Sequence, residues 1–194
     1  MLVDSLIYVS IQKGSENTMM ELDVQAAKKG DKDAFIRLIK QIEHNLFQTA
    51  KTILKHDEDT ADALQETILK AYQSIHKLKH VEYFKTWIFR ILINECNTMI
   101  ARRSKIVSVD CIGEQVSTSA QNQEIEIRDA IDKLPAKQRM VIILHYFQDM
   151  TMKQVADTLN LSESAVKKRL QQAKLELLHQ FSGNEKEKIQ YESI

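Results

Sequence analysis

At 194 residues, with only 4 Gly, 1 Pro and 28% charged side chains, the chain is long enough for one or two cores and its composition favours helix. Lys+Arg and Asp+Glu both number 27, so the formal net charge is zero and no global field draws the protein to nucleic acid. No run approaches the roughly 20 apolar residues of a membrane span, which argues against direct membrane insertion.

The start, MLVDSLIYVSIQKGSENTMM, lacks a basic n-region and a long apolar stretch, so it does not read as a secretory signal. Residues 1–20 are expected to be an extension outside the fold, with Met19 or Met20 just before the first helix and residues 1–18 arising from an upstream start codon. Mass spectrometry of the native N-terminus tests this. A short helix over residues 21–29 carries Leu22, Val24 and Ala26 and stops at Gly30. Asp31 or Asp33 then caps a longer helix reaching about Leu54, with Phe35, Leu38, Ile39, Ile42, Leu46 and Ala50 at helical spacing.

Asp57-Glu58-Asp59 marks the next break and places acid at a helix start, where the dipole favours it. On the helix that follows, residues 60–74, Leu64, Ile68 and Tyr72 are expected to face the core. Asp62, Gln65, Glu66 and Leu69 fall on the other side at i, i+3, i+4, i+7. Such a stripe is either plain solvent surface or a docking face for a partner's basic helix. Residues 76–83 form a polar, basic connection. The most apolar helix, residues 84–103, then puts Trp87, Ile88, Ile91, Leu92 and Met99 in a wide core stripe. Its basic residues alternate with Tyr83, Phe84, Trp87 and Phe89, as on a single-strand stacking platform, although aromatics at helical spacing are more often core.

Periodicity is lost over residues 106–123, which turn to Ser, Thr, Gln and Gly; this is read as a flexible linker between two domains. From Glu124 a helix carries Ile125, Ile127 (or Arg128), Ala130, Ile131 and Leu134, and Pro135 stops it. Another, residues 137–147, carries Met140, Val141, Ile143, Leu144 and Phe147. Two short patterns follow. Met152, Val155, Ala156 and Leu159 share one stripe; Asn160-Leu161-Ser162 breaks it; and Ser162 caps a second helix with Val166, Leu170, Ala173 and Leu177 on one face. Lys167, Lys168, Gln171, Gln172 and Lys174 occupy the remaining surface. This is the helix-turn-helix pattern, whose second helix enters the major groove, although a helical hairpin with a solvated charged face is patterned alike. After Phe181 the sequence is a polar tail, residues 182–194, without a core pattern.

Local charge departs from the neutral total. Residues 85–105 hold five basic side chains against Glu95, a net of +4, and residues 151–181 hold five against three acids, a net of +2. Two separated basic patches suggest two contacts on one extended ligand. Cys96 and Cys111 have neither CxxC nor Cys/His ligand spacing, so no zinc or other metal is expected, and Cys96 reads as a buried thiol in a reducing cytoplasm.

In order, ADALQETILKAY (residues 61–72), FKTWIFRILIN (84–94) and LPAKQRMVIILHYFQDMTMKQVADTLNLSESAVKKRLQQAKLEL (134–177) resemble the core-polymerase-binding helix, the −10 recognition helix and the −35-binding domain of a bacterial RNA polymerase sigma factor. The resemblance is to the sigma-70 family, extracytoplasmic-function group, and spans about residues 21–103 and 124–181. It implies an all-α protein of two helical domains: a region 2-like bundle over 21–105 and a region 4-like helix-turn-helix domain over 124–181, joined by the 106–123 linker. It implies further that Asp62, Gln65, Glu66 and Leu69 dock on core RNA polymerase, whose β′ and β subunits become partners. Asn94 then captures a flipped −10 base, with Lys79, Tyr83, Lys85 and Arg90 in the same group. Trp87 matches the family's helix tryptophan, mainly a packing residue, and is counted with them. Ser162, Ser164, Lys167, Lys168, Gln171 and Gln172 face the −35 duplex. Gln171, Gln172 and Ala165 depart from the commoner arginine-rich, Thr-containing pattern, so the resemblance does not fix the −35 bases. Promoter DNA and an anti-sigma factor are the other implied partners, with no cofactor and no catalytic residue, in the cytoplasm or held at the membrane by the anti-sigma factor.

Two other readings compete. A stand-alone helix-turn-helix regulator accounts for the second domain but leaves the Asp62/Gln65/Glu66 stripe without a role. A metal-dependent nuclease on His56, Asp57, Glu58 and Asp59 has consecutive, diverging side chains and no second carboxylate cluster to converge with them.

Overall fold

The computed structural model describes the backbone over residues 18–106 and 124–191, with side chains over 18–103, at 127 and over 129–181. All regular structure among the described residues is helical, and the chain divides into two compact units, residues 1–99 and 100–194. Residues 1–17 of the expected extension and the linker beyond Ile106 lie outside the described residues, while Thr18, Met19 and Met20, expected to precede the first helix, are already helical.

The N-terminal unit begins with α1, residues 18–28. Gly30 follows with φ +99°, a left-handed conformation that suits a residue without Cβ. Asp31 caps α2 (Lys32–Leu54): its Oδ1 accepts from the N–H groups of Asp33 at 2.9 Å and Ala34 at 3.1 Å. The two helices are tied by an ion pair in which Arg37 donates from Nη2 (2.6 Å) and Nε (3.0 Å) to Asp23 Oδ1. Asp23 is almost wholly buried, so without Arg37 it would be an uncompensated buried charge. The arrangement also holds the Arg37 guanidinium above its ordinary pKa, chiefly through that hydrogen bond.

Helix α3 (Asp57–Ser74) packs against α2, but not on the expected residues. Thr60, Ala63, Thr67 and Ala71 are buried, while Leu64 and Ile68 are half-buried and Tyr72 is exposed, its ring meeting Phe35 edge-on at 5.1 Å. The buried face of α3 is thus made of small side chains. The threonine hydroxyls enter this apolar seam without penalty because each donates within its own helix, Thr60 to His56 O at 2.7 Å and Thr67 to Ala63 O at 2.6 Å. Two 3₁₀ turns, Ile75–Lys77 and Val81–Tyr83, lead into α4 (Phe84–Ile106). Ile75 and Leu78 pin the turns inward, and Phe84, Ile88, Phe89, Leu92, Ile93 and Cys96 form the buried face of α4. Burial pushes the Cys96 thiol up to about 12.

In the C-terminal unit α5 (Glu124–Lys133) leads to α6 (Ala136–Ile142), which continues as one π turn, Ile143–Phe147. Arg139 Nη2 donates to Leu134 O at 2.9 Å and braces the intervening bend at Pro135. The expected core residues Ala130, Ile131, Leu134, Val141, Ile143 and Leu144 are buried, but Ile127 and Phe147 are exposed. The π turn explains Phe147: one extra residue in the turn, closed by Gln148 N–H to Ile143 O at 3.0 Å, rotates it away from the core. Helices α7 (Met152–Leu159) and α8 (Glu163–Tyr191) complete the unit, α8 packing on α5, α6 and α7. Helix α8 continues to Tyr191 through the residues expected as a polar tail without a core pattern, since Glu, Lys and Gln sustain helix without needing a core stripe.

Candidate functional site

Three exposed faces carry the candidate residues. On α3 the buried seam has its opposite at Asp62, Gln65, Glu66 and Leu69, all four exposed. Leu69 is 49% exposed, an apolar side chain standing among acids and an amide. The neighbouring Lys70 is turned aside to Glu95 of α4 at 2.6 Å, so it does not neutralise the stripe and instead ties α3 to α4.

The second face runs from the 3₁₀ turns along α4. Lys79 and Tyr83 are exposed on the turns, and Tyr83 stands edge-on to His80 at 5.9 Å. His80 Nδ1 lies 3.5 Å from Glu82. On α4, Trp87, Arg90 and Asn94 recur at i, i+3, i+7 and share the side away from the buried face. Arg90 and Asn94 are exposed, and Trp87 is half-buried with its ring tilted against Phe84 at 6.0 Å. Lys85 is not with them. At about 100° per residue it lies on the buried side of α4, at the helix start and half-buried. Asn94 also stands about 15 Å along the helix axis from Phe84 and hence from the turns. Of the aromatics that alternate with basic residues, Phe84 and Phe89 are core and only Tyr83 and Trp87 retain accessible ring.

The third face is the helix-turn-helix. Thr151 and Gln154 form a reciprocal capping box at the start of α7: Thr151 Oγ1 accepts from Gln154 N–H at 3.2 Å and Gln154 Oε1 from Thr151 N–H at 2.9 Å. The box is legible in sequence as T-x-x-Q but was not part of the expectation. Asn160 ends α7 in the left-handed region (φ 53°, ψ 51°), and Leu161 N–H closes back on Ala156 O at 2.9 Å. Ser162 caps α8 as expected, its Oγ accepting from Ala165 N–H at 3.2 Å, with Ser164 Oγ 3.0 Å away. Val155, Ala156, Val166, Leu170 and Ala173 close the apolar seam between α7 and α8. That seam holds Ser162, Ser164, Lys167, Lys168, Gln171 and Gln172 outward, all exposed. Cations and amides on one presented helix can donate to phosphates and to base edges.

His56, Asp57, Glu58 and Asp59 are spread along the first turn of α3, with Asp57 engaged by Lys51 at 3.0 Å. Among the described residues no group of three or more His, Cys, Asp or Glu side chains is arranged to hold a metal ion, and no helix is long and apolar enough to cross a membrane.

A helical protein with one unit presenting an exposed acidic stripe and an amide-bearing helix, and a second presenting a helix-turn-helix, is of the transcription-factor class. Residues 38–106 match the family described as Sigma-70 region 2 and residues 124–177 that described as Sigma-70, region 4, together more than half of the chain. The chain belongs to the sigma-70 family, in its extracytoplasmic-function group. It is 25% identical to the RNA polymerase sigma factor SigV of Bacillus subtilis (75% of this chain, 90% of that one) and 26% identical to the ECF RNA polymerase sigma factor SigW of the same organism (78% and 91%). The fold is similar to that of CnrH, solved in complex with the cytosolic domain of CnrY (TM-score 0.65, 22% identity, covering 85% of this chain and 98% of that one). It is similar also to the sigma factor RpoE of Bartonella quintana in complex with the anti-sigma factor NepR (TM-score 0.65, 19% identity, 76% and 96%).

Proposed function

We infer that this protein binds core RNA polymerase and directs promoter recognition and transcription initiation as an extracytoplasmic-function sigma factor. The observation that carries this is the order of the two family regions, each presenting a polar face backed by a closed apolar core. Asp62, Gln65 and Glu66 meet a basic surface of core polymerase on its β′ subunit, with Leu69 supplying apolar contact at the centre of the stripe. Asn94, whose amide both donates and accepts, reads a −10 base exposed when the duplex opens, with Trp87 and Arg90 beside it on α4. Lys79 and Tyr83 engage the same single strand from the turns. Ser162, Ser164, Lys167, Lys168, Gln171 and Gln172 face the −35 duplex.

Neither contact needs to be tight by itself. Docked on polymerase, the two units are held at promoter spacing and their binding free energies combine through effective concentration. The region 2-like unit occupies residues 21–105 and the region 4-like unit 124–181, with 106–123 as the tether. An anti-sigma factor is a further partner, a reading supported by the similar Bartonella quintana sigma factor having been solved in complex with one, and the protein acts in the cytoplasm. Run-off transcription with core enzyme on a library of random upstream sequences tests the reading. Transcripts sharing two spaced elements are expected, and a library transcribed identically with and without the protein would overturn it.

A further inference from the structure

The π turn closing α6 places an aromatic ring that the promoter-reading account has not used. Tyr146 stands 49% exposed, and the Lys174 ammonium lies 5.6 Å from its ring centroid, within cation–π range. The ring has a second contact besides Lys174. His145 packs edge-on against it at 4.8 Å, and His145 Nδ1–H donates to the carbonyl oxygen of the buried Met150 at 2.7 Å. Single π turns recur at functional sites because they re-aim side chains that a regular helix would place elsewhere.

Lys174 is not a stray surface cation. Lys167, Gln171 and Lys174 recur at i, i+4, i+7 on α8, all exposed, so Lys174 continues the stripe assigned to the −35 duplex and stands about 10 Å along the axis from Lys167. At about 100° per residue, Lys167 and Lys174 fall at the border between the outward face and the buried stripe of Val166, Leu170 and Ala173. A helix lying in a major groove brings such border positions to the phosphate wall rather than to base edges. Lysine is a flexible point charge with considerable rotamer entropy to lose on contact; a cation already held over a ring has lost part of it beforehand.

We propose that Lys174 contacts a backbone phosphate flanking the −35 element and that Tyr146 is its positioning residue, holding the ammonium at the groove wall. The inference rests on the reading of α8 as the duplex-facing helix. The test uses full-length protein reconstituted with core enzyme on a promoter recovered from the run-off library, with binding followed against KCl concentration. Lys174→Ala lowers the salt slope by about 0.9, one phosphate. Tyr146→Leu weakens binding about two- to five-fold at fixed salt, and Tyr146→Phe, which keeps the ring face, restores it. In the Lys174→Ala background Tyr146→Leu costs nothing further, a coupling that a merely structural role for the ring does not produce. An equal cost of Tyr146→Leu in both backgrounds overturns the proposal. So does an unchanged slope for Lys174→Ala where Lys167→Ala lowers it. If Lys167→Ala also leaves the slope unchanged, it is the groove reading of α8 that has failed, and this inference falls with it.

Discussion

Replacing Ala63 by leucine probes the seam that sets which face of α3 points outward. Ala63 and Ala71 are wholly buried on α3, beside the intrahelical hydroxyl bonds of Thr60 and Thr67. A leucine at position 63 adds three carbons at a wholly buried site, and overpacking of this kind costs about 1–3 kcal/mol. For a unit of this size, each kcal/mol lowers the melting temperature by about 4–8 °C. Trp87 is the only tryptophan in the chain and lies in this unit, so its fluorescence follows N-terminal unfolding separately from the C-terminal unit. Ala63→Leu and Ala71→Leu are two helical turns apart, so their losses should sum. The control Gln65→Leu, on the opposite and exposed face, should stay within about 0.5 kcal/mol of the parent. A neutral Ala63→Leu beside a destabilising Gln65→Leu would mean that α3 is rotated and that its acidic stripe is buried, which would refute the packing argument.

Glu66→Lys should abolish pull-down of core polymerase while far-UV circular dichroism stays unchanged, because it inverts charge at an exposed position. Lys167→Ala combined with Lys168→Ala should weaken promoter binding by the holoenzyme and lower its salt slope by about 1.8, read by anisotropy over a KCl series. Ser162→Ala removes the acceptor for Ala165 N–H and should cost about 1 kcal/mol in C-terminal unfolding, measured by chemical denaturation. Burial pushes the Cys96 thiol from its ordinary value of 9.0 up to about 12 in the folded chain. Its contribution to stability is therefore fully present below pH 9 and is lost as pH rises toward 12, by as much as about 1.4 kcal/mol per pH unit. Cys96→Ala should flatten that part of the N-terminal stability profile, followed by Trp87 fluorescence.

The sequence signals that proved legible were those with a local physical cause. Gly30, Asp31 and Ser162 act through their own backbone or cap geometry, and Leu38, Ile42, Leu46, Val155, Val166 and Leu170 through large apolar side chains at helical period. The α3 core was misread because its seam is built from Thr and Ala, which a search for large apolar residues passes over in favour of Leu64, Ile68 and Tyr72. Phe147 was misplaced because a π turn shifts register within an otherwise helical pattern, and its sequence carries no Gly or Pro to mark the change. The resemblance groups Lys85 with Asn94, whereas helical geometry puts the two on different sides of α4. The pairing of Tyr146 with Lys174 joins residues 28 positions apart and has no local signal at all.

The account turns on cooperation between two separate contacts that act only on the enzyme. Its most direct test is a promoter gel shift with the purified protein alone, with core RNA polymerase alone, and with both, scored together with co-sedimentation of protein and core. A one-to-one complex with core and a specific shift only when both are present is the predicted result. A tight, specific shift by the protein alone, with no association to core, would contradict it and leave a free-standing regulator of duplex DNA in its place.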